Sequence, residues 1–138
     1  GSNTKNIKEI DAVVSRFFNA FCNANNKKAK VSSIREFTIP QATIINNTNG
    51  DLEVFKLEEF IVSREKILSS REIKDFSEQE VSQKTEVHNN IAQRWSHYKK
   101  MGIKNNKSFK AEGIKNFHFI KTDKGWKIAS VQWSDINQ

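Results

Sequence analysis

At 138 residues, the chain has the length of one domain and can bury a core without covalent cross-links. Its single cysteine, Cys22, excludes disulfides within the chain, and its short apolar stretches predict no membrane-spanning segment. The formal net charge is +7, but lysine greatly outnumbers arginine and is scattered among acidic residues. Nucleic-acid binding favours clustered basic faces rich in arginine, so we expect a solvated basic surface and no nucleic-acid partner.

The chain begins with Gly1-Ser2, which is typical of the remnant of a cleaved expression tag, and no initiator methionine follows. We expect residues 1–6 to be this remnant and a disordered start, and residues 7–136 to form a single domain. Two origins fit such a start: an exported protein whose signal peptide has been removed, or a cytoplasmic protein with a trimmed N-terminus. The residues favour neither compartment.

Two helices are predicted before Pro40. Apolar residues recur at steps of three and four over residues 7–21, which places them on one helical face. The Asn-rich segment 23–26 ends this helix, because clustered Asn favours turns. A second, shorter helix is predicted over residues 28–36, and Pro40 stops it because the residue before a proline avoids the α region.

A hairpin and a third helix complete the first half. Asn49-Gly50 supplies the positive φ angles of a tight hairpin turn. The third helix is predicted over residues 57–69. One of its faces carries Phe60, Ile61, Arg64, Ile67 and Leu68.

After Ser70 the spacing changes from helical to alternating, which predicts four long antiparallel strands with no helix longer than two turns among them. The predicted strands cover residues 73–85, 91–101, 109–121 and 126–134. Gly113 predicts a bulge or kink in the third of these strands.

Three stretches stand out in the predicted strands: residues 90–98 (NIAQRWSHY), 113–117 (GIKNF) and 125–133 (GWKIASVQW). Together with the order of elements, they resemble the nuclear transport factor 2-like superfamily, also called the SnoaL-like or cystatin-like cone group, and in particular its small bacterial members of unassigned activity. The resemblance implies an α+β fold in which a curved antiparallel sheet wraps around N-terminal helices. It also implies a pocket at the open end of this cone and a homodimer through the other face of the sheet.

The superfamily holds isomerases, dehydratases, cyclases, ligand-binding modules and assembly domains, so the fold does not fix the function. Two positions depart from the relatives. Lys99 follows Tyr98 where an acidic residue is often found, and Glu112 precedes Gly113 where arginine is often found. These departures argue against a function that depends on those charges.

Alternation along the strand after His88 puts Ala92, Arg94, Ser96 and Tyr98 on one face. The small Ala92 and Ser96 suit a face covered by helices, so we expect Arg94 to enter the cone. There it would bind a carboxylate or phosphate ligand, or pair with an internal acid, because an unpaired buried charge is very costly. Tyr98 is a candidate ligand-binding residue and a possible oxyanion donor.

On the next strand, Asn116 and His118 lie between Ile114 and Ile120 at the same parity, so we expect them to line the pocket. His118 would act as a general base or be a satisfied structural histidine. Isomerase-type chemistry also needs an internal acid, and the predicted sheet offers poor candidates, with Asp135 placed beyond the last strand.

The candidates for the dimer face are Trp95, His97 and Trp133. The three histidines are dispersed along the chain, so we predict no metal site. The sequence contains nothing that resembles a nucleotide-binding or nucleophile motif, so we predict no cofactor. We therefore predict a homodimeric small-ligand-binding domain whose pocket suits a small organic anion. The alternatives are a cofactor-free isomerase, dehydratase or cyclase, favoured by an unpaired His or acid beside Tyr98, and a dimeric interaction module whose cone is filled by side chains.

Overall fold

The computed structural model describes residues 2–137, in which helices precede a six-stranded sheet. The α-helices are α1 (Ser2–Asn19) and α2 (Leu57–Ser69), and short 3-10 helices lie at Ala24–Asn26 and Val31–Phe37. The strands are β1 (Thr38–Thr48), β2 (Asp51–Lys56), β3 (Ile73–His88), β4 (Ile91–Lys104), β5 (Lys107–Thr122) and β6 (Gly125–Asn137). No helix among these residues is long and apolar enough to cross a membrane.

Helix α1 begins at Ser2, so residues 2–6 are helical and the prediction of a disordered start was wrong for them; Gly1 lies outside the described residues. The cause is an anchor in the first turns. Trp126 Nε1 donates a hydrogen bond to Asn6 Oδ1 at 3.1 Å, which ties the start of the helix to β6. The apolar face expected from the sequence is buried along the rest of the helix.

The helix predicted over residues 28–36 is a 3-10 helix at Val31–Phe37. The backbone N–H of Ser33 donates to the carbonyl of Lys30 at 3.0 Å, and the Ser33 hydroxyl donates to the same oxygen at 2.6 Å. Serine hydroxyls that bond to nearby backbone groups compete with the α-helical pattern. The third predicted helix, residues 57–69, is confirmed.

The strand order is β2-β1-β6-β5-β4-β3, and every pairing is antiparallel except the parallel pairing of β1 with β6. The four long antiparallel strands predicted after Ser70 are confirmed. The hairpin turn is also confirmed, since Asn49 and Gly50 have φ angles of 59° and 76°. At Gly113, the pairing of β5 with β6 shifts register, as the predicted bulge requires.

The core lies between the helices and the inner face of the sheet. Its aromatic rings meet edge to face: Phe17 of α1 lies 5.3 Å from Phe117 of β5, and Phe60 of α2 lies 5.9 Å from Trp133 of β6. Trp133 is only 9% exposed and packs in this core. Its assignment to a dimer face was therefore wrong, because its side chain points to the inner face of β6.

Candidate functional site

A cavity of about 520 Å³ opens among the helices and the inner face of the sheet. This volume suits a small molecule, since ligand pockets usually measure about 300–1,000 Å³. Six of its lining residues are aromatic: Phe17, Phe21, Phe60, Phe76, Phe109 and Trp133. The charged groups among its lining residues include Glu53, Arg64, Glu78, Lys100, Lys115 and Asp135.

Lys115 is the most deeply buried cation of this cavity, with a side chain only 4% exposed. Its Nζ lies 3.3 Å from Oε2 of Glu78, which is also buried. The same ammonium stands 4.2 Å from the ring centroid of Tyr98 and 4.5 Å from that of Trp133. Burial lowers the pKa of Lys115 below its ordinary value, although the charge of Glu78 acts in the opposite direction.

Beside Lys115, Tyr98, Asp135 and Lys100 form a hydrogen-bonded series. The Tyr98 hydroxyl donates to Oδ1 of Asp135, and Lys100 Nζ lies 2.8 Å from Oδ2 of the same carboxylate. Burial, followed by the bond to Asp135, raises the pKa of Tyr98 far above its ordinary value. The phenol is therefore a hydrogen-bond donor at neutral pH, and the two oxygens of Asp135 contact Tyr98 and Lys100.

Arg64 differs from Lys100 and Lys115, the two ion-paired lysines of the cavity, because no carboxylate pairs with it. Its guanidinium lies 4.8 Å from the ring centroid of Phe60 and 5.4 Å from that of Phe55, and it donates a hydrogen bond to Ser63 at 3.0 Å. Among residues 2–137, no acid comes within ion-pair distance of it. Burial lowers the pKa of Arg64, while the charges of Glu53 and Glu78 act to raise it. Arginine stays protonated under such conditions, so the site holds an unneutralised positive charge.

The residues that line the cavity, as far as the structure describes them, include none of the four candidates from the sequence. Arg94 does face the helices, as predicted, and is only 2% exposed. It is engaged by acids: Nη2 lies 2.6 Å from Asp11 Oδ1, and Nε lies 3.5 Å from Glu80 Oε2. Tyr98 also faces inward, where it contacts Lys115 and Asp135 beneath the cavity wall.

The predicted parity of β5 was wrong. Phe117 and Phe119 face the core, whereas His118 is exposed on the outer face, paired across the sheet with Gln93 and Ser130. Asn116 shares that outer face and lies 3.5 Å from the Gln93 side chain. The reason is that β5 carries apolar residues on both faces, with isoleucine outside and phenylalanine inside, so alternation alone did not identify the buried one.

Four residues of the site were not proposed from the sequence: Arg64, Glu78, Lys115 and Asp135. Arg64 could have been found from the sequence, because it is a charged residue on the otherwise apolar face of the third predicted helix. Lys115 could have been found too, since it shares the parity of Phe117 on β5. Asp135 was placed beyond the last strand, but β6 continues to Asn137 and carries it into the cone. Among the described residues, no group of three or more His, Cys, Asp or Glu side chains comes together that could hold a metal ion.

No protein-family model matches the chain, and no curated protein matches it significantly. Several solved structures do match the chain. The chain is similar to a nuclear transport factor 2-like superfamily protein from Salmonella enterica, with a TM-score of 0.80 at 12% identity over 99% of this chain and 94% of that one. It is also similar to a hexachlorocyclohexane dehydrochlorinase, with a TM-score of 0.79 at 12% identity over 96% and 86% of the two chains.

A third similar structure, from Exiguobacterium sibiricum, is likened to a calcium/calmodulin-dependent kinase II association domain, with a TM-score of 0.72 at 11% identity over 94% and 92% of the two chains. At such identities the comparisons show the fold alone. The chain has the nuclear transport factor 2-like, cystatin-like cone fold, which confirms the fold that the sequence resemblance implied.

Proposed function

We propose that the cone binds a small organic anion and that Arg64 receives its negative charge. The observation that carries this proposal is a guanidinium that is partly desolvated against Phe55 and Phe60 and has no acidic partner among the described residues. A carboxylate or phosphate that enters the cavity supplies the missing partner, and guanidinium forms charge-assisted, bidentate hydrogen bonds with both.

The acids of the cavity support this assignment, because each already has a partner. Glu53 accepts a hydrogen bond from Asn46 at 3.0 Å, Glu78 pairs with Lys115, and Asp135 pairs with Lys100. Two further cations, Lys104 and Lys110, also line the cavity. The local charge therefore favours an anion over a cation as the occupant, and it also attracts anions towards the opening.

The test is calorimetric titration of the parent and of Arg64→Met with a panel of small carboxylates and phosphate monoesters. We expect at least one compound of the panel to bind the parent, and Arg64→Met to bind it about 10–100-fold more weakly, as the loss of a hydrogen bond to a charged group predicts. The matched control is Arg16→Met. Arg16 also stands 4.8 Å from an aromatic centroid, that of Phe37, but it pairs with Glu36 outside the cavity. Equal affinities in Arg64→Met and the parent would rule out the assignment.

A second candidate function is that of a cofactor-free enzyme of the isomerase, dehydratase or cyclase type. The observation that favours it is the presence of proton-carrying groups at the cavity wall: Glu78 beside Lys115, and Asp135, which accepts a hydrogen bond from Tyr98 behind the wall. Exchange of the α-hydrogens of a bound carboxylate in heavy water, followed by NMR, tests this candidate. Exchange that is lost in Glu78→Gln supports it, and no exchange above the buffer rate excludes it for that ligand.

We also propose that the chain forms a homodimer through the outer face of its sheet. Trp95 is 48% exposed there, and the cross-strand pair Ile91–Ile120 is exposed on the same face, four residues away along β4. Exposed apolar side chains that gather on one face are typical of interaction surfaces. Light scattering at micromolar concentration should give twice the chain mass for the parent and one chain mass for Trp95→Lys. A monomeric parent would contradict this proposal and, with it, the dimeric interaction module.

A further inference from the structure

The amine of Lys115 has an unusual position for a lysine. Lysine side chains almost always reach solvent, but this one is buried and lines the cavity together with Glu78 and Trp133. Its Nζ lies 4.2 Å and 4.5 Å from the ring centroids of Tyr98 and Trp133 and 3.3 Å from Oε2 of Glu78. A structural ion pair alone does not require an opening to a cavity of small-molecule size.

We infer that Lys115 is a carbonyl-reactive amine, and that its Nζ forms a reversible imine with a small 2-oxo acid bound in the cone. Its side chain is only 4% exposed, and removal of an amine from water disfavours the ammonium form and so increases the share of nucleophilic amine. The direction of the Lys115 pKa, which burial lowers, agrees with this geometry.

The choice of an oxo acid rests on the proposed function, because Arg64 is the group that would hold the carboxylate. Each of the two cations stands over one ring of an aromatic pair, Arg64 over Phe60 and Lys115 over Trp133. These two rings meet edge to face, with their centroids 5.9 Å apart. Arg64 and Lys115 both line this one cavity, so a ligand that carries a carboxylate and a carbonyl enters a space that presents both cations.

The chemistry balances with the residues present. Glu78 accepts a proton from the Lys115 ammonium, and the free amine attacks the carbonyl carbon to give a carbinolamine. Glu78 then returns its proton to the carbinolamine hydroxyl, which leaves as water while the C=N bond forms. One ammonium and one carbonyl give one iminium and one water, so no oxidant or other co-reactant is needed. The contact of 3.3 Å between Glu78 and Nζ is suitable for both proton transfers.

Reductive trapping tests the inference on the intact protein. The parent is incubated with pyruvate and sodium cyanoborohydride, and peptide mass spectrometry follows the adduct on each lysine with time. We expect Lys115 to be modified at least about tenfold faster than the exposed Lys8, since each unit of lowered pKa raises the share of free amine about tenfold. Lys115→Arg keeps a cation beside Glu78 and should lose the fast adduct, whereas Lys100→Arg, a change at the other ion-paired lysine of the cavity, should keep it.

Additional labelling experiments distinguish the imine proposal from the proposal of an anion site at Arg64. Acetaldehyde has no carboxylate, and lactate has no reactive carbonyl. If both ideas hold, lactate slows the labelling of Lys115 by pyruvate, and Arg64→Met slows labelling by pyruvate but not by acetaldehyde. If pyruvate and acetaldehyde label Lys115 equally fast in the parent and in Arg64→Met, the imine proposal is supported and the anion site at Arg64 is ruled out. If lactate and pyruvate bind by calorimetry but Lys115 reacts no faster than Lys8, the imine is overturned and the anion site stands.

Discussion

The hydroxyl of Tyr98 occupies the space into which a side chain at Gly113 would project. The two residues face each other in register across β4 and β5, and a Cβ built on Gly113 would lie 2.7 Å from Tyr98 Cζ and closer still to its hydroxyl oxygen and to the Ser134 carbonyl. The missing side chain at Gly113 lets the phenol cross β5 and reach Asp135 on β6. The bulge at Gly113 and the hydrogen bond between Tyr98 and Asp135 are thus parts of one arrangement.

Gly113→Ala should therefore destabilise the protein by about 1–3 kcal/mol, the usual cost of inserting a methyl group into a filled site. Urea unfolding measures the change. Adding Tyr98→Phe to Gly113→Ala should recover part of the lost stability, because it removes the Tyr98 hydroxyl from contact with the new methyl group, while the contact with the Ser134 carbonyl remains. Gly102→Ala is the matched control, since its Cβ would meet mainly the ring of Phe109 at 3.0 Å, which can rotate away. Equal losses at Gly113 and Gly102 would contradict this account.

Alkaline titration offers a clean test of the buried phenol, because Tyr98 is the only tyrosine of the chain. Its pKa is raised by burial and by the bond to Asp135, so the folded chain keeps a proton that the unfolded chain releases above the ordinary value of 10.0. The free energy of unfolding should then fall by about 1.4 kcal/mol for each pH unit above 10 from this group. We expect tyrosinate absorbance to appear only together with unfolding, as monitored by circular dichroism. Ionisation near pH 10 in a folded chain would contradict the geometry.

The buried pair of Lys115 and Glu78 predicts a pH-dependent variant. Glu78→Gln leaves the ammonium without its acid and should lower the free energy of unfolding by about 3–5 kcal/mol near neutral pH. Burial lowers the pKa of Lys115 below its ordinary 10.5 while Glu78 raises it, so the loss of Glu78 lowers this pKa further. Between the folded-state pKa and 10.5, the unfolded chain binds a proton that the folded chain does not, so stability rises with pH, and it rises more in Glu78→Gln than in the parent. The deficit of Glu78→Gln should therefore shrink as the pH approaches 10.5.

Denaturant unfolding at several pH values measures that trend. The double variant Lys115→Met/Glu78→Leu removes both charges and is the control, expected to stay within about 1–2 kcal/mol of the parent, since apolar replacement of a buried pair is often neutral or favourable. A deficit of Glu78→Gln that is constant with pH would show that Lys115 keeps its proton in the folded chain.

The residues of β4 show what could be read from the sequence. Ala92 and Ser96 are small and alternate with larger residues, so the face covered by helices was identifiable, and Arg94 and Tyr98 were correctly placed on it. On β5 the same method failed, since both faces are apolar and the phenylalanines, not the isoleucines, are buried. The parallel pairing of β1 with β6 was not predicted either, because it joins segments far apart in the chain and leaves no local signal.

The site itself was harder to predict than the fold. Its charged groups come from separate elements, with Arg64 on α2, Glu78 on β3 and Lys115 on β5. Each looks ordinary in its own segment, and only the closure of the sheet around the helices makes them neighbours. Arg94 was predictable as an inward-facing residue from the alternation of its strand, whereas Arg64, the arginine that lines the cavity, has no acid within ion-pair distance among the described residues.

Arg94 and Arg64 therefore predict opposite outcomes for the same substitution. Arg94 is buried and bonded to Asp11 of α1, with Glu80 of β3 nearby, so it holds the first helix against the sheet. Its acids are partly exposed and regain water when Arg94 is replaced, which limits the cost. Arg94→Met should lower the free energy of unfolding by about 1–3 kcal/mol, the range for hydrogen bonds to charged groups, and should leave anion affinity unchanged.

Arg64→Met should do the reverse. Its guanidinium has no ion pair to lose among the described residues, and methionine keeps contact with Phe55 and Phe60, so stability should stay within about 0.5 kcal/mol of the parent. Anion affinity, measured by calorimetry, should fall. Asp11→Asn separates the two roles further, because it weakens only the pair with Arg94 and should reproduce part of the stability loss without touching the cavity. If Arg94→Met instead loses affinity at unchanged stability, the anion site belongs to Arg94, and the assignment to Arg64 is wrong.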